Sequence, residues 1–242
     1  MVDLKQLIYA IHEAPNILLK KSEELEFVGN CLSNANDTRA QCYQDVFVLY
    51  KTKYKKGGYF VEFGATDGKN ISNTYLLEKR YGWKGILAEP NPFWHEELFK
   101  NRICNISKEC VYSETGKEIE FIASDTPDIS GIKEFGSKDE HTTNRNKGQI
   151  ILVPTISLVD LLDKYNAPSE IDYLSIDTEG SEYHILEAFF KNPSKYTIQN
   201  ITAEHNYISQ DRDNIFNLLS QYGYKRKFTD FSRWDDFYTK VV

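Results

Sequence analysis

The sequence predicts an α/β fold, a doubly wound Rossmann-like sheet with mostly parallel strands, from two observations. From Gly57 onward, short runs of β-branched and aromatic residues alternate with segments of helical periodicity. YFVEF and GILAE are the first two runs, and helical patterns follow them at residues 71–81 and 92–100. In addition, a glycine-rich turn comes directly after the first run. Open α/β sheets bind their ligands at such a turn, so the sequence also predicts where the site lies.

The alternation of strands and helices continues toward the carboxyl terminus. KECVY, KEIEFIAS, IDYLSID and TIQNITAE are predicted strands, with helices at residues 157–164 and 181–190. The end of the chain, GYKRKFTDFSRWDDFYTKVV, alternates aromatic and charged residues, which predicts a terminal antiparallel hairpin. Residues 124–149 are polar, glycine-containing and too long for an ordinary connection. We predict a lid-like insertion there, and partial disorder is the alternative.

The amino-terminal part of the chain has helical periodicity in two places. Its apolar positions are Leu4, Leu7, Ile8 and Ile11 before Pro15, and then Tyr43, Val46, Phe47, Tyr50 and Tyr54. We therefore expect a helical segment at residues 1–56 that covers a main domain at residues 57–242.

Composition narrows the range of partners. The chain of 242 residues is 40% hydrophobic, enough for a sizeable core, and its net charge of −7 gives no general attraction to nucleic acid or anionic lipid. Its four cysteines lack CxxC spacing, no signal-like segment precedes them, and the apolar runs are too short to cross a bilayer. We expect a cytoplasmic protein with reduced thiols that acts on a small-molecule or glycan substrate.

The turn after YFVEF carries the first functional indication. Gly64-Ala-Thr-Asp-Gly68 follows Glu62, whose carboxylate would repel a pyrophosphate but pair with a cation. Glu89 ends the second predicted strand, where a carboxylate suits the two hydroxyls of an adenosine ribose. Neither G-x-G-x-x-G nor G-x-x-x-x-G-K-S/T is present. These features favour S-adenosylmethionine, an adenosine cofactor without phosphates, over NAD.

Several segments together resemble a known family. FVEFGATDG, SNTYLLEKRYGWKGILAEPNP, VYSETG, IDYLSIDTEGSEYHIL and AEHN are similar to the FkbM family of S-adenosylmethionine-dependent methyltransferases, which mostly methylate hydroxyl oxygens of sugars and natural products. The resemblance covers residues 44–207. It implies a class I methyltransferase fold, in which a seven-stranded sheet has its last strand antiparallel. The candidate cofactor-binding residues are Glu62, Gly64, Ala65, Asp67, Gly68, Asn73, Glu89, Pro90, Asn91 and Ser113.

The predicted fourth and fifth strands end in SIDTEGSE and TAEHN, where this topology exposes the transferred methyl group. Asp177, Glu204 and His205 are the candidate catalytic residues, whereas Glu182 is expected to face solvent and Glu179 to cap a helix. His205 could act as general base with a carboxylate that orients its ring. Alternatively, Asp177, Glu204 and His205 could ligate Mg²⁺ or Mn²⁺.

Two functions from other classes are alternatives to methyl transfer. An NAD(P)-dependent sugar oxidoreductase would share the fold and Glu89, but its pyrophosphate loop and a catalytic Tyr/Lys or His pair are not evident. A noncatalytic module with the same fold is disfavoured by the intact loop and by the acidic residues after the fourth strand. The sequence therefore favours an O-methyltransferase.

Overall fold

The computed structural model of the chain describes residues 22–136, 142–145, 147–192 and 194–241. The helical pattern predicted from Leu4 to Pro15 lies outside these residues. The chain divides into two units between Asp37 and Thr38, earlier than the predicted boundary after residue 56. Residues 44–51 belong to the second unit because Phe47 is buried there, with its ring centroid 5.0 Å from that of Phe237.

The secondary structure elements are numbered in chain order. The strands are β1 Tyr59–Phe63, β2 Lys84–Ala88, β3 Asn105–Ser107, β4 Cys110–Tyr112, β5 Glu118–Ala123, β6 Gly131–Ile132, β7 Gln149–Ser157, β8 Glu170–Ile176, β9 Thr197–Glu204, β10 Tyr224–Lys227 and β11 Asp235–Lys240. The helices are α1 Ser22–Asn34, α2 Gln44–Lys51, α3 Tyr75–Tyr81, α4 His95–Asn101, α5 Thr142–Arg145, α6 Leu158–Lys164, α7 Glu182–Lys191 and α8 Ser209–Gln221, with 3₁₀ turns at Pro92–Trp94 and Pro127–Ile129.

The main sheet has seven strands in the order β10-β11-β9-β8-β1-β2-β3. β1 is parallel to β2 and β8, β8 is parallel to β9, and β11 is antiparallel to both β9 and β10. This confirms the predicted class I methyltransferase fold, including its antiparallel last strand. The order reverses at β1, and the ends of β1, β2 and β8 therefore form the edge where a ligand is expected.

A second, four-stranded sheet was not predicted. Its order is β4-β7-β5-β6, so KECVY and KEIEFIAS form strands that pair with β7 and not with the main sheet. The third strand of the main sheet is instead β3, which pairs with β2. Local periodicity reports that a segment is extended and half-buried, but it does not report which strand accepts its hydrogen bonds.

Two helices also differ from the prediction. α3 begins at Tyr75 and not at Ile71, because Ile71 has a φ of 56° and forms an isolated parallel bridge with Ala40. α8 was not predicted at all, although it buries Ile215 and Leu219.

The alternation of side chains along β1 separates the core from the site. Val61 and Phe63 belong to the apolar core with Leu161 and Leu186 from the helices that follow β7 and β8. Glu62 points to the opposite face, where it lines a cavity at the end of the strand. In the part of the chain that the structure describes, no helix has the length and apolar character needed to span a membrane.

Candidate active site

A cavity opens at the carboxyl edge of β1, β2 and β8. Five of the ten predicted cofactor residues line it, namely Glu62, Gly64, Asn73, Glu89 and Pro90. The structure therefore brings together the two predicted carboxylates and the glycine turn, at the edge of the sheet where the sequence predicted a ligand site.

The Glu62 carboxylate holds the turn before α3. It accepts hydrogen bonds from the Asn73 amide at 2.7 Å, from Ser72 Oγ at 3.1 Å and from Thr74 Oγ1, and it lies 3.7 Å from Arg102 Nη1. Burial raises the pKa of Glu62, and Arg102 opposes this shift. The sequence predicts that this carboxylate pairs with a cationic ligand. In the structure its hydrogen bonds hold the turn that carries Asn73.

Asn73 presents an unsatisfied atom to the cavity. Its Nδ2 donates to Ser175 Oγ at 2.9 Å, but its buried Oδ1 has no hydrogen-bond partner among the described residues. A buried acceptor without a partner is costly unless a ligand supplies a donor. The amino group or a hydroxyl of S-adenosylmethionine could supply that donor, so this residue fits the predicted cofactor.

Glu89 closes the other side of the cavity. Its carboxylate accepts hydrogen bonds from the backbone amides of Thr66 at 2.9 Å and Asn91 at 2.8 Å. Burial raises the pKa of Glu89 to about 7, although both hydrogen bonds lower it. An ionised carboxylate with remaining lone pairs is the group that accepts hydrogen bonds from two ribose hydroxyls.

The two loop glycines are required by intramolecular packing, and Gly64 also lines the cavity. Gly64 has a φ of 70°, and a Cβ on it would overlap the carbonyl oxygen of Asp177. Gly68 has a φ of 72°, and a Cβ there would meet Leu98 Cδ1 at 2.5 Å. Gly68 does not line the cavity. Neither does Asp67, whose Oδ1 accepts from the backbone amides of Lys69 and Asn70, both at 2.8 Å.

Ala65, Asn91 and Ser113 are likewise absent from the cavity wall. Ala65 is fully buried, and the Asn91 side chain accepts from the Phe93 amide and donates to Ser130 Oγ, each at 3.1 Å. Ser113 follows β4, which belongs to the second sheet, so β4 contributes Cys110 and Val111 to the wall in its place. These residues lie around the cavity and not in its wall, and their contacts with the cofactor stay predictions.

A second cavity adjoins the first. The residues that line both are Ile71, Asp128, Asp177 and Glu179. The residues that line only the second are Gln41, Ile129, Glu204, Asn206, Tyr207 and Trp234. Asp177 thus lies in the wall between the two cavities.

Three carboxylates converge in the second cavity. Oxygen atoms of Asp177, Glu179 and Glu204 lie within 4.8 Å of one another. Burial raises the pKa of Asp177 and that of Glu204 well above their usual range, and neighbouring carboxylates, among them Asp235 for Asp177 and Asp177 for Glu204, raise them further. Glu204 acts in the opposite direction on Asp177, whose pKa it lowers.

Two expectations about acidic residues near this cluster were wrong. Glu179 does not cap α7 but joins the cluster, where it accepts from Arg145 Nη2 at 2.6 Å. Glu182 does not face solvent but is buried, and it accepts from the amides of Thr178 at 2.7 Å and Gly180 at 3.0 Å. Glu182 thereby holds the loop after β8 in place.

His205 does not join the carboxylates. Its Nδ1 accepts from the Tyr207 amide at 3.1 Å, and its Nε2 lies 3.9 Å from Asp236 Oδ1. Burial lowers the pKa of His205. His205 does not line the second cavity, but it lines a small adjoining pocket together with Glu179 and Glu204. Among the described residues, the acidic group that could hold a metal ion contains Glu179 in place of His205, and the catalytic role of His205 stays a prediction.

The backbone around both cavities is strained. Five non-glycine residues of their walls have left-handed φ angles, namely Thr66, Ile71, Glu179, Asn206 and Tyr207. Such conformations are costly, especially for the β-branched Thr66 and Ile71, and they cluster at functional sites.

The family follows from a direct comparison with known proteins. Residues 62–226 match the methyltransferase FkbM domain, which is more than half of the chain. The chain belongs to the FkbM methyltransferase family. The matched region includes both predicted carboxylates of the first cavity and all three of the second. The protein is therefore a methyltransferase, its family implies S-adenosylmethionine as cofactor, and the oxidoreductase alternative is set aside.

Two solved methyltransferase structures are similar to this FkbM protein at low sequence identity. One is precorrin-6y C5,15-methyltransferase from Geobacter metallireducens GS-15, which is 11% identical to this chain. The match covers 80% of this chain and 83% of the precorrin-6y methyltransferase chain, with a TM-score of 0.39. A methyltransferase from Pyrococcus furiosus is 12% identical, covers 84% of each chain and has a TM-score of 0.42. No curated protein is significantly similar to the FkbM chain.

Sequence reasoning missed several residues of the second cavity. Asn206 lies within the AEHN segment of the family resemblance, so closer attention to that segment could have found it, whereas Glu179 was considered but interpreted as a helix cap. Gln41, Tyr207 and Trp234 have no local signal, because folding brings three distant parts of the chain to one cavity.

Proposed function

We propose that the protein is an S-adenosylmethionine-dependent O-methyltransferase that acts on a hydroxyl of a sugar, glycan or related small metabolite. The observation that carries this proposal is the wall shared by the two cavities, in which Asp177 and Glu179 border both. Methyl transfer needs a cofactor and a nucleophile in adjacent, aligned compartments, and alignment supplies much of the rate.

The first cavity is proposed to bind the cofactor, which supplies an electrophilic methyl group when bound. Glu89 would accept hydrogen bonds from the ribose hydroxyls, and Asn73 Oδ1 would accept one from the amino group or a hydroxyl. Glu62 would act mainly through Asn73, since its carboxylate already holds the turn that carries this side chain.

The second cavity is proposed to bind the acceptor and to remove its proton. A carboxyl group with a raised pKa is a better base near neutral pH than an ordinary one, and Asp177 and Glu204 meet this condition. The ionised carboxylate of either residue would take up the hydroxyl proton. His205 does not line the second cavity, so the base is assigned to the Asp177–Glu204 pair.

Several features of the second cavity support a hydroxyl-rich acceptor. Tyr207 is exposed, and its ring centroid lies 6.4 Å from that of Trp234, which gives an aromatic surface for a sugar ring. Among the described residues that line this cavity, none is Lys, Arg or His. A phosphate-rich acceptor such as nucleic acid would meet carboxylates there, so we propose an acceptor without such groups.

A divalent metal ion is the alternative means of activating the hydroxyl. Asp177, Glu179 and Glu204 would hold it, and their oxygen atoms suit Mg²⁺ or Mn²⁺. Such an ion would lower the pKa of a coordinated hydroxyl. Loss of activity in EDTA, with recovery on addition of Mg²⁺ or Mn²⁺, would support this version, whereas full activity in EDTA would support the carboxyl pair as base.

Residues 124–149 are proposed to act as a lid, as the sequence predicted. The support is that Pro127, Asp128 and Ser130 line the first cavity, and that Asp128 and Ile129 line the second. Closure of a lid excludes water from the reacting centre. Hydrogen exchange of the segment should slow when S-adenosylhomocysteine and an acceptor bind, and equal exchange with and without these ligands would contradict the lid.

The central test is methyl transfer itself. Purified protein with isotopically labelled S-adenosylmethionine should transfer label to one or more members of a panel of neutral sugars, glycans and polyols. Mass spectrometry and NMR of the product should then place the methyl group on oxygen. Transfer to nitrogen or carbon, or to RNA alone, would contradict the proposal while leaving the methyltransferase family intact.

A further inference from the structure

Arg145 is a fully buried arginine that joins two walls of the second cavity. Its Nη2 donates to Glu179 Oε2 at 2.6 Å, in the loop after β8. Its Nε donates to the Ile129 carbonyl at 2.7 Å, and its Nη1 to the Gly136 carbonyl at 3.2 Å. One guanidinium group thus holds the insertion at two points and the loop at a third.

The loop held by Arg145 is strained and closely packed. Glu179 has a φ of 60°, and the next residue, Gly180, has a φ of 114°. A Cβ on Gly131 of the insertion would lie 3.0 Å from Glu179 Cβ, and one on Gly180 would lie 3.0 Å from Phe135 Cβ. A left-handed glutamate persists only where its surroundings hold it, and a buried ion pair provides such a restraint.

The position of Glu179 is also linked to Glu204. Asn206 Nδ2 donates to Glu179 Oε2 at 3.1 Å and to Glu204 Oε2 at 2.9 Å. Because the two carboxylates share this donor, a displacement of Glu179 would disturb the hydrogen bonding of Glu204. The contacts therefore run from Arg145 through Glu179 and Asn206 to the proposed base.

We propose that Arg145 is a positioning residue, which fixes Glu179 and the Ile129 wall relative to the proposed base. This inference rests on the proposed function, since it treats the second cavity as the acceptor site. The fork of an arginine is needed because a lysine has a compact ammonium group that cannot reach three acceptors in different directions at once.

The part of the insertion that faces the cofactor cavity is held by other contacts. Ser130 Oγ accepts from Asn91 Nδ2 at 3.1 Å and from the Ser124 amide at 3.0 Å, and β6 pairs with β5. Changes at Arg145 should therefore affect the acceptor side and spare the cofactor side.

Arg102 is a matched control on the cofactor side. Its side chain is also fully buried, and it donates to the Gly68 carbonyl at 3.0 Å, to Thr74 Oγ1 at 2.9 Å and to Glu78 Oε2 at 3.1 Å. It holds the cofactor loop as Arg145 holds the acceptor wall. The same substitution at the two positions should give opposite patterns.

The first experiment is hydrogen exchange of the full-length protein without acceptor. In Arg145→Lys, amides of residues 133–136 and 178–181 should exchange about tenfold faster, because a restraint on both segments is lost. Amides of residues 65–74 should stay within about twofold, and the affinity for S-adenosylhomocysteine within about threefold. Arg102→Lys should show the reverse pattern, with faster exchange at 65–74 and about tenfold weaker binding.

A double variant separates positioning from general loss of stability. Arg145→Met leaves the Glu179 charge without its partner, and Glu179→Gln in that background should restore part of the protection of residues 178–181. With an acceptor from the transfer screen, Arg145→Lys should raise the acceptor KM about tenfold while the cofactor KM changes less than about threefold. The increase in hydrogen exchange and the increase in acceptor KM should both be larger in Arg145→Met than in Arg145→Lys.

Unchanged exchange in both Arg145 variants, or additive losses in the double variant, would overturn the role of Arg145 whatever the transfer screen gives. Failure of every acceptor in the screen would instead count against the proposed function, while the exchange pattern would still decide whether Arg145 holds the two segments together.

Discussion

At the scale of single residues, the site depends on carboxyl groups whose protonation is set by burial. Glu89 has a pKa of about 7 because burial removes it from water. Burial also raises the pKa of Asp177 and that of Glu204; the charge of Asp235 raises the first further, and the charge of Asp177 raises the second further. Glu89 therefore changes charge near physiological pH, unlike an ordinary surface carboxylate.

Cofactor binding should depend on pH through Glu89. In the proposed cofactor site the ionised carboxylate would accept hydrogen bonds from the ribose hydroxyls, so protonation would compete with binding as the pH falls through about 7. Affinity for S-adenosylhomocysteine should drop about tenfold between pH 8 and pH 6 by calorimetry. Glu89→Gln should bind more weakly at pH 8 and lose most of this dependence. An equally steep dependence in Glu89→Gln would assign the titration to another group.

Asp177→Asn should separate chemistry from cofactor binding. The amide retains the shape of the side chain but cannot take up the acceptor proton, so kcat should fall by roughly 10²–10⁴. Affinity for S-adenosylhomocysteine should stay within a few fold, since Asn73 and Glu89 are unchanged. Single-turnover kinetics and calorimetry measure the two quantities. A large loss of affinity with normal kcat would move Asp177 from the chemistry to the cofactor site.

At the scale of elements, the site lies where two loops meet. The turn after β1 and the loop after β8 touch at Gly64 and the Asp177 carbonyl, and the insertion closes on the second loop through Gly131 and Arg145. Close contact of backbones at this point sets the distance between the two cavities.

Gly64→Ala should therefore destabilise the protein by more than the cost of its φ angle. The added methyl group overlaps the Asp177 carbonyl oxygen, so we expect a loss of about 3 kcal/mol or more in the free energy of unfolding. Gly82→Ala is the matched control, because Gly82 has a similar φ of 67° and no atom within 4 Å of its added Cβ. It should lose only about 1 kcal/mol. Equal losses in chemical denaturation would show that the contact is unimportant.

At the scale of the whole molecule, buried acidic side chains lower the stability of the folded state at alkaline pH. Burial raises the pKa of Asp45, Glu89 and Asp235 to about 7 in each case. The pKa values of these groups in the unfolded chain are near 4. As the pH falls, the folded state therefore binds these protons at a higher pH than the unfolded state does. Ionisation as the pH rises through 7 therefore costs stability, which returns as the pH falls toward 6.

Thermal unfolding without ligand should reflect this balance. Each group with a folded pKa of about 7 contributes about 1 kcal/mol between pH 8 and pH 6, so the melting temperature should rise by several degrees over that range. Asp45→Asn tests one contribution, because the Asp45 Oδ2 atom is buried without a partner among the described residues. The variant should melt higher than the parent at pH 8 and depend less on pH. A parent melting temperature that falls from pH 8 to pH 6 would contradict the assignment.

The sequence by itself determined the sheet architecture and the cofactor side of the site. β1, β9 and the terminal hairpin follow from local periodicity, and Glu62, Gly64 and Glu89 lie directly after strands whose carboxyl ends must meet at one edge. These features depend on residues that are close together in the chain, so a local pattern contains the information.

Only the tertiary structure decided the acceptor side. The second sheet depends on which strands β7 pairs with, and the presence of Glu179 in place of His205 among the three carboxylates depends on how the loop after β8 lies against the end of β9. Arg145 reaches Glu179 across 34 residues of chain, through hydrogen bonds that no local pattern encodes. Burial then sets the protonation of Asp177 and Glu204, because the pKa of a carboxyl group depends on the water and charges that the whole fold leaves around it.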